Sequence, residues 1–359
     1  MNMIDDSAAN SLEGRILKTG WKVIKKITKE DNATGAYFSI CYRVEKDGQI
    51  CFLKAFNFTP FLQLSEQSDP ERNRNMTDIL GDMIKAYQYE RDLSEHCKTG
   101  HVTKVAFVID SGEESIPDFS IGLVPYLIFE LADGDVRKNL TYSNNLDFVW
   151  KLKSLHDIAV GIKQLHGVNI SHQDLKPSNI LLFNRESKIG DLGRSMCKDI
   201  DSIYNKMEYS GDFSYAPPEI MYGYYEKDWE KRVYATDCYL LGSMIVFYFA
   251  GISMSALLSK HIPDEFKWEK YKGAFDEVQP YLIEAYNKAL IEFGNSIDID
   301  DFKEDLQSIV EYLCFPLPER RGHPKNIFNK GNNFCLDRFI SKLDILRKKA
   351  EINITKWQQ

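Results

Sequence analysis

His172-Gln173-Asp174-Leu175-Lys176-Pro177-Ser178-Asn179 is the stretch that decides how this chain of 359 residues is to be read. Twelve residues after Asn179 stands Asp191, inside Lys188-Ile189-Gly190-Asp191-Leu192-Gly193. Together the two segments supply one acid able to hold a hydroxyl proton, one lysine, and two oxygen donors spaced for a hard cation such as Mg2+. A polar turn between helix and strand accounts for any one of these residues. It does not account for so many residue types at fixed spacing.

The bulk composition permits a substantial enzyme. Charged residues make up 27% and hydrophobic residues 43%, an ordinary globular balance. A net charge of −8 argues against a nucleic-acid binder, which needs basic surface to displace phosphate counterions. Seven cysteines, an odd count with no Cys-x-x-Cys pair, fit a reducing compartment and argue against a disulfide scaffold or zinc site. The N-terminus carries Asp5 and Asp6 and no apolar signal core, so a cytoplasmic location is expected. The 20 residues from Tyr239 to Leu258 carry no charge, which is the length of a membrane span. Tyr, Gly and Ser interrupt the run and no Lys or Arg anchors its start, so a buried core helix followed by a turn is the better reading.

Patterning outlines a strand-rich unit followed by a helical one. Residues 1–14 are polar and expected to be flexible. Strands are expected over 21–27, 37–44 and 49–56, the last two joined at Lys46-Asp47-Gly48, and polar residues 57–75 read as a loop insertion. A helix over about 77–97 puts Ile79, Met83, Ala86, Glu90 and Leu93 on one stripe, with Glu90 the only charge there. Strands over 102–110 and 123–131 follow, and Ala132-Asp133-Gly134-Asp135 is a candidate linker. Helices are then expected over 148–166, 219–222, 234–250, 277–293, 300–313 and 333–350, with short strands at 180–183 and 188–189.

His172–Asn179 and Asp191 resemble the catalytic loop and the magnesium loop of the protein kinase family, of the eukaryotic-like (Hanks-type) serine/threonine class. The resemblance covers about residues 21–325. It implies an α+β, two-lobed fold with a small antiparallel-sheet lobe carrying one main helix and a larger helical lobe. The corresponding division is a flexible 1–14, a first lobe over 15–131, a second over 132–330, and a helical tail over 331–359. It also implies ATP and Mg2+ as cofactors and a protein substrate. The insertion or the tail is then free for partner contacts, and neither a nucleic acid nor a membrane span is expected.

By the same resemblance Asp174 takes or orients the acceptor proton, Lys176 brings positive charge to the transferring phosphoryl group, and Asn179 and Asp191 bind the metal. His172 braces the loop. Lys54, in Cys51-Phe52-Leu53-Lys54, looks like the strand lysine that holds the phosphates, and Glu90 like its helix partner. Glu95 is the fallback, but lies about 140° away on the helical wheel. Phe129-Glu130-Leu131-Ala132 resembles the hinge that bonds adenine, with Phe129 guarding the pocket behind it. Gly35 and Ile40 belong to the loop over the phosphates. Gly211 to Glu219 resembles the end of the activation segment, with Arg321 as the partner of Glu219, and Asp237 with Gly242 resembles the start of the central helix.

Four positions depart from the family pattern. Residues 33–40 keep only Gly35 of the usual three glycines, and Phe38 stands at the third. Phe52 replaces a small residue that roofs the adenine, where it narrows the pocket, stacks on the base or shifts the strand register. Gln173 replaces the arginine that precedes the catalytic aspartate in many relatives and holds a phosphorylated loop. Strict dependence on phosphorylation at Ser202, Tyr204, Tyr209 or Ser210 is therefore not expected. Asp212 stands where a threonine usually bonds the catalytic aspartate and lysine, and either bonds Lys176 or repels Asp174. Two other readings stay open: a pseudokinase scaffold, on these departures, and a small-molecule kinase, which usually lacks the Lys-Pro and Pro-Pro-Glu elements.

Overall fold

A computed structural model of the chain describes residues 7–27, 39–60, 76–140, 147–184, 186–329 and 331–357. It has the two-lobed α+β architecture. Two compact units divide it, one made of Met1–His101, Ala106–Ala132 and Ile200–Ile203, the other of Val102–Val105, Asp133–Asp199 and Tyr204–Gln359.

The first unit is built on a five-stranded antiparallel sheet. Its strands are β1 (Lys22–Lys26), β2 (Ser39–Lys46), β3 (Gln49–Phe56), β4 (Val108–Ser115) and β5 (Leu123–Glu130), in the order β1-β2-β3-β5-β4. Alternate residues of β2, β3 and β5 bury Tyr42, Val44, Cys51, Leu53, Ala55, Val124, Tyr126 and Ile128 in one core, the period of two that a sheet with one covered face demands. Asp47 and Gly48 both have positive φ, the two-residue turn whose twist matches the strands it joins. Helix α1 (Met76–Thr99) lays Ile79 and Met83 on Phe58 and Tyr87 on Leu127 and Val108.

Three expectations need correction in or beside this unit. The described part of 1–14 is not loose. Ala8, Ala9 and Leu12 are buried in the sheet core, and the Tyr42 hydroxyl donates to the Ala9 carbonyl at 2.7 Å. Three apolar side chains anchor a segment whose average composition is polar. The strand expected over 102–110 starts only at Val108. The amides of Thr103 and Lys104 donate to the Gln164 side chain in the second unit, and the Ile189 amide donates to the Lys104 carbonyl. Within the expected insertion Asn57 and Phe58 are buried, and residues 61–75 lie outside the described residues.

The second unit carries β6 (Gly134–Asp135), α2 (Val136–Asn139), α3 (Asp147–Gly167), β7 (Ile170–Ser171), β8 (Ile180–Phe183), β9 (Glu186–Ile189), β10 (Met196–Cys197) and α4 (Pro218–Met221). There follow α5 (Trp229–Ala250), α6 (Met254–His261), α7 (Phe275–Asn295), α8 (Asp300–Leu313), α9 (Pro324–Phe328) and α10 (Asp337–Trp357). Strands β6, β8 and β9 form one small sheet, and β7 pairs with β10. Helix α10 belongs to the body of this unit rather than forming a separate tail over 331–359: Phe339, Leu343, Leu346 and Ala350 are buried, and the helix packs on α3.

Helix α5 is long and apolar enough to cross a membrane, but 83% of its most apolar window is buried inside the fold. Asp228 caps its start by accepting the Lys231 amide. Gly251, at φ +74°, ends it in the left-handed conformation that glycine adopts without strain. Ser253 then caps α6, so the uncharged run is split between two helices. Gly242 allows α5 to approach the end of α8, since a β-carbon there would lie 2.4 Å from the Cys314 sulfur and 2.9 Å from Leu313 Cβ. Gly242→Ala is therefore expected to destabilise the fold. Overpacking costs about 1–3 kcal/mol, which outweighs the gain in helix propensity of about 1 kcal/mol. A lower denaturant midpoint at unchanged slope is the expected result.

Candidate active site

The catalytic-loop segment is suspended from one buried carboxylate. Asp237, fully buried on α5, accepts from Ser171 Oγ (2.8 Å), His166 Nε2 (2.9 Å) and the backbone amides of His172 and Gln173 (both 2.9 Å). Burial alone would raise its pKa. The hydrogen bond and charge of His166 and the loop amides outweigh that and hold it below the ordinary value of 3.8. Two successive amides can converge on one side chain because Gln173 takes a positive φ of 65°.

His172 ties the two motif segments together. Its Nε2 lies 3.0 Å from the Gly190 carbonyl, and its Nδ1 receives the Asp174 amide at 3.3 Å. Both contacts are satisfied by the neutral tautomer with the proton on Nε2. The Gly190 amide in turn donates to the Asn179 carbonyl at 2.8 Å. A β-carbon at Gly190 would sit 2.7 Å from Leu181 Cδ1, so a side chain there would have to displace that leucine. Asp191 follows at φ +59° and opens a short 3-10 turn.

The candidate reacting groups meet around Asp174. The Asn179 side-chain Nδ2 donates to the Asp174 carbonyl at 2.8 Å and to Asp174 Oδ2 at 3.3 Å. Lys176 Nζ lies 3.2 Å from Asp174 Oδ2 and 3.2 Å from Asp212 Oδ2. The Asp212 amide donates to Asp174 Oδ1 at 2.9 Å. Of the two outcomes open for Asp212, the side chain bonds Lys176. Burial pulls the Lys176 pKa down, but the charges of Asp174 and Asp212 outweigh it and hold it above the ordinary value, so Lys176 stays an ammonium. Gly211 lies against the catalytic loop, where a β-carbon would meet the Gln173 carbonyl at 2.1 Å.

In the first unit Lys54 Nζ bonds both carboxylate oxygens of Glu90 at 2.9 Å, and Glu90 is buried. Glu95 is exposed and pairs with Lys98. Strand β3 pairs with β2 in unbroken register from Ser39↔Phe56 to Lys46↔Gln49, so Phe52 has not shifted the strand. Phe52 lies opposite Phe129 on β5 with ring centroids 6.4 Å apart. Glu130 ends β5, Ala132 ends this stretch of the first unit, and Ile40 is half-buried on β2. Gly35 lies outside the described residues.

Arg321 is fully buried and forks onto Glu219, with N–O distances of 2.6 and 2.5 Å. It also donates to the carbonyls of Phe315, Ala235 and Pro316, and its guanidinium lies over the Tyr239 ring. Sequence reading did not single out His166, Ser171 or Ser214. No spacing rule flags them, although His166 lies one short turn before the motif on a helix that ends there.

With fold and site in view, the comparisons are decisive at the level of family. A model of the protein kinase domain matches residues 68–330, well over half of the chain. The chain belongs to the protein kinase family. It is similar to a probable serine/threonine-protein kinase of Streptomyces coelicolor, 28% identical over 60% of this chain and 32% of the relative. It also resembles an Aurora/IPL1-related protein kinase of Caenorhabditis elegans, 31% identical over 35% of this chain and 39% of the relative. A serine/threonine-protein kinase of Candida albicans is 26% identical over 64% of this chain and 38% of the relative. The chain thus spans well under half the length of these relatives.

Two outcomes follow from the buried charges. Glu219→Gln strips Arg321 of its counter-ion and is expected to cost about 3–5 kcal/mol, because a buried charge is left unpaired; thermal denaturation measures it. Asp237, with its pKa depressed in the fold, contributes stability above the unfolded value near 3.8, and this is lost as pH falls through the lower folded value. Asp237→Asn is expected to lower the melting temperature at neutral pH and to flatten its dependence on pH below about 4.

Proposed function

We propose that the chain is an ATP- and Mg2+-dependent protein kinase that phosphorylates serine or threonine hydroxyls of a protein substrate. The observation that carries this is the convergence of Asp174, Lys176 and Asn179 within hydrogen-bonding reach, with Lys176 held charged. The donor set fits the cofactors. Asn179 and Asp191 offer oxygen ligands of the kind Mg2+ takes one or two of, leaving the rest to water and phosphate. When bound, the metal neutralises charge on the phosphates.

Asp174 orients the acceptor hydroxyl and takes its proton as the new oxygen–phosphorus bond forms and the bond to ADP breaks. Lys176 offsets the charge that spreads over the transferring group. Lys54, steered by Glu90, holds the α- and β-phosphates. Gly35 and Ile40 cover the nucleotide, and the backbone of Glu130 to Ala132 bonds adenine beside Phe129. His172, Asp237, Glu219 and Arg321 hold this arrangement rather than react. Preference for serine or threonine rests on Lys176-Pro177 and on the names of the relatives. A cytoplasmic location is supported by seven free thiols.

Transfer of labelled γ-phosphate from ATP to the protein itself or to a generic basic substrate tests the reading. Asp174→Asn is expected to lower the rate about 10²–10⁴-fold, and an unchanged rate overturns the assignment. Mg-ATP is expected to raise the melting temperature, since a ligand of the native state stabilises it. A shift without transfer points to a nucleotide-binding scaffold.

Gln173 brings no positive charge to the loop. Its amide nitrogen turns inward to Ser171 Oγ (2.7 Å) and the Val233 carbonyl (3.0 Å). Tyr209 and Ser210 are buried and hydrogen-bonded to the Asp212 and Arg194 carbonyls, so substituting them tests folding as much as regulation. The informative variant is Ser202→Ala with Tyr204→Phe. Its activity is expected to stay within about threefold of the parent, because Gln173 brings no cation to a loop phosphate.

A further inference from the structure

We infer that Asp212 is a positioning residue of the phosphoryl-transfer site, and that it acts through its charge. Its carboxylate holds Lys176 beside Asp174 and fastens that pair to the turn at Phe213–Tyr215. The inference rests on the kinase reading above and assigns a task to a side chain at which this chain leaves the family pattern.

Four contacts carry it. Asp212 Oδ2 lies 3.2 Å from Lys176 Nζ, as far as Asp174 Oδ2 lies from the same nitrogen. Asp212 Oδ1 accepts the Ser214 amide at 3.0 Å and the Ser214 hydroxyl at 2.7 Å. The Asp212 amide donates to Asp174 Oδ1 at 2.9 Å. One residue thus orients the acid through its backbone, the lysine through one carboxylate oxygen, and the following turn through the other. Lys176 and Asp174 are both buried, and a buried ammonium between two carboxylates has little freedom to leave its place. Such fixed placement is what phosphoryl transfer asks of a protein.

A plainer role competes. Asp212 is the N-cap of the 3-10 turn, and a cap alone explains the Ser214 contacts. Two substitutions separate the roles. Asp212→Asn keeps an acceptor for Ser214 and removes the charge; Asp212→Glu keeps the charge and spoils the cap geometry.

Asp212→Asn is expected to lower kcat by about tenfold or more while KM for ATP changes less than about twofold, at unchanged melting temperature. Asp212→Glu is expected to keep kcat within about threefold of the parent. A parental kcat in Asp212→Asn, a loss that only tracks a falling melting temperature, or an equal loss in both variants overturns the inference. A second measurement does not need activity. Amine acylation read by mass spectrometry is expected to label Lys176 several-fold faster in Asp212→Asn than in the parent, because one of its two tethers is gone. An unchanged labelling rate overturns the inference. If the parent binds Mg-ATP but transfers nothing, the kinase reading fails, and the labelling result still judges Asp212.

Discussion

The carboxylate of Asp237 is the point from which the candidate site is hung. A loop cannot satisfy its own amides as a helix or sheet does, and buried amides must find partners elsewhere. Here the amides of His172 and Gln173 turn toward the core helix and share one buried acid with Ser171 and His166. That choice forces Gln173 into a left-handed backbone and reverses the chain just before Asp174. The reversal leaves the Asp174 carboxylate facing Asn179, Lys176 and the Asp212 amide. A core position on a helix sixty residues away thereby fixes the direction of the candidate base.

Ions in the second unit divide by what surrounds them. Arg321 and Glu219 are sealed in, with the guanidinium donating to Glu219 and to three carbonyls and lying over the Tyr239 ring, so the pair fastens α4 to the body of the unit. Asp174, Lys176 and Asp212 form a second ionic cluster of opposite design. It carries one more negative than positive charge, and Asp212 is partly open to solvent. A closed, neutral pair suits structure. An open cluster with excess negative charge suits a place where a metal and phosphate are to be received.

Much of this was legible in the sequence, for physical reasons that differ by residue. The octet at 172–179 reads clearly because its side chains must present fixed chemistry at fixed spacing. Glu90 was legible for another reason: a lone charge on an apolar helical stripe needs a partner, and Lys54 supplies it at 2.9 Å. The burial of Ala8, Ala9 and Leu12 was hidden, because two alanines and a lone leucine in polar company give no periodic signal. The strand expected over 102–110 failed in its first part because Val102 and Val105 have strand-forming side chains, while the amides of Thr103 and Lys104 are claimed by Gln164 instead of by a neighbouring strand. Side-chain hydrogen bonds that replace a ladder leave no trace in a propensity.

The departures at Phe52, Gln173 and Asp212 are each accommodated locally, and residues 33–38 lie outside the described residues. Phe52 keeps its strand in register and sets its ring near Phe129. Gln173 spends its amide nitrogen on Ser171 and Val233, although its buried Oε1 finds no partner among the described residues. An arginine turned inward at that position would bring a charge among groups already committed to Asp237. Glutamine brings no charge there. At Asp212 the change runs the other way and adds an anion to the cluster, and Ser214 and Lys176 together hold its pKa down against the effect of burial. Charge has moved out of the buried backbone knot and into the contact between the catalytic loop and its neighbouring turn. In this chain that turn is joined to the catalytic loop through the backbone and carboxylate of Asp212.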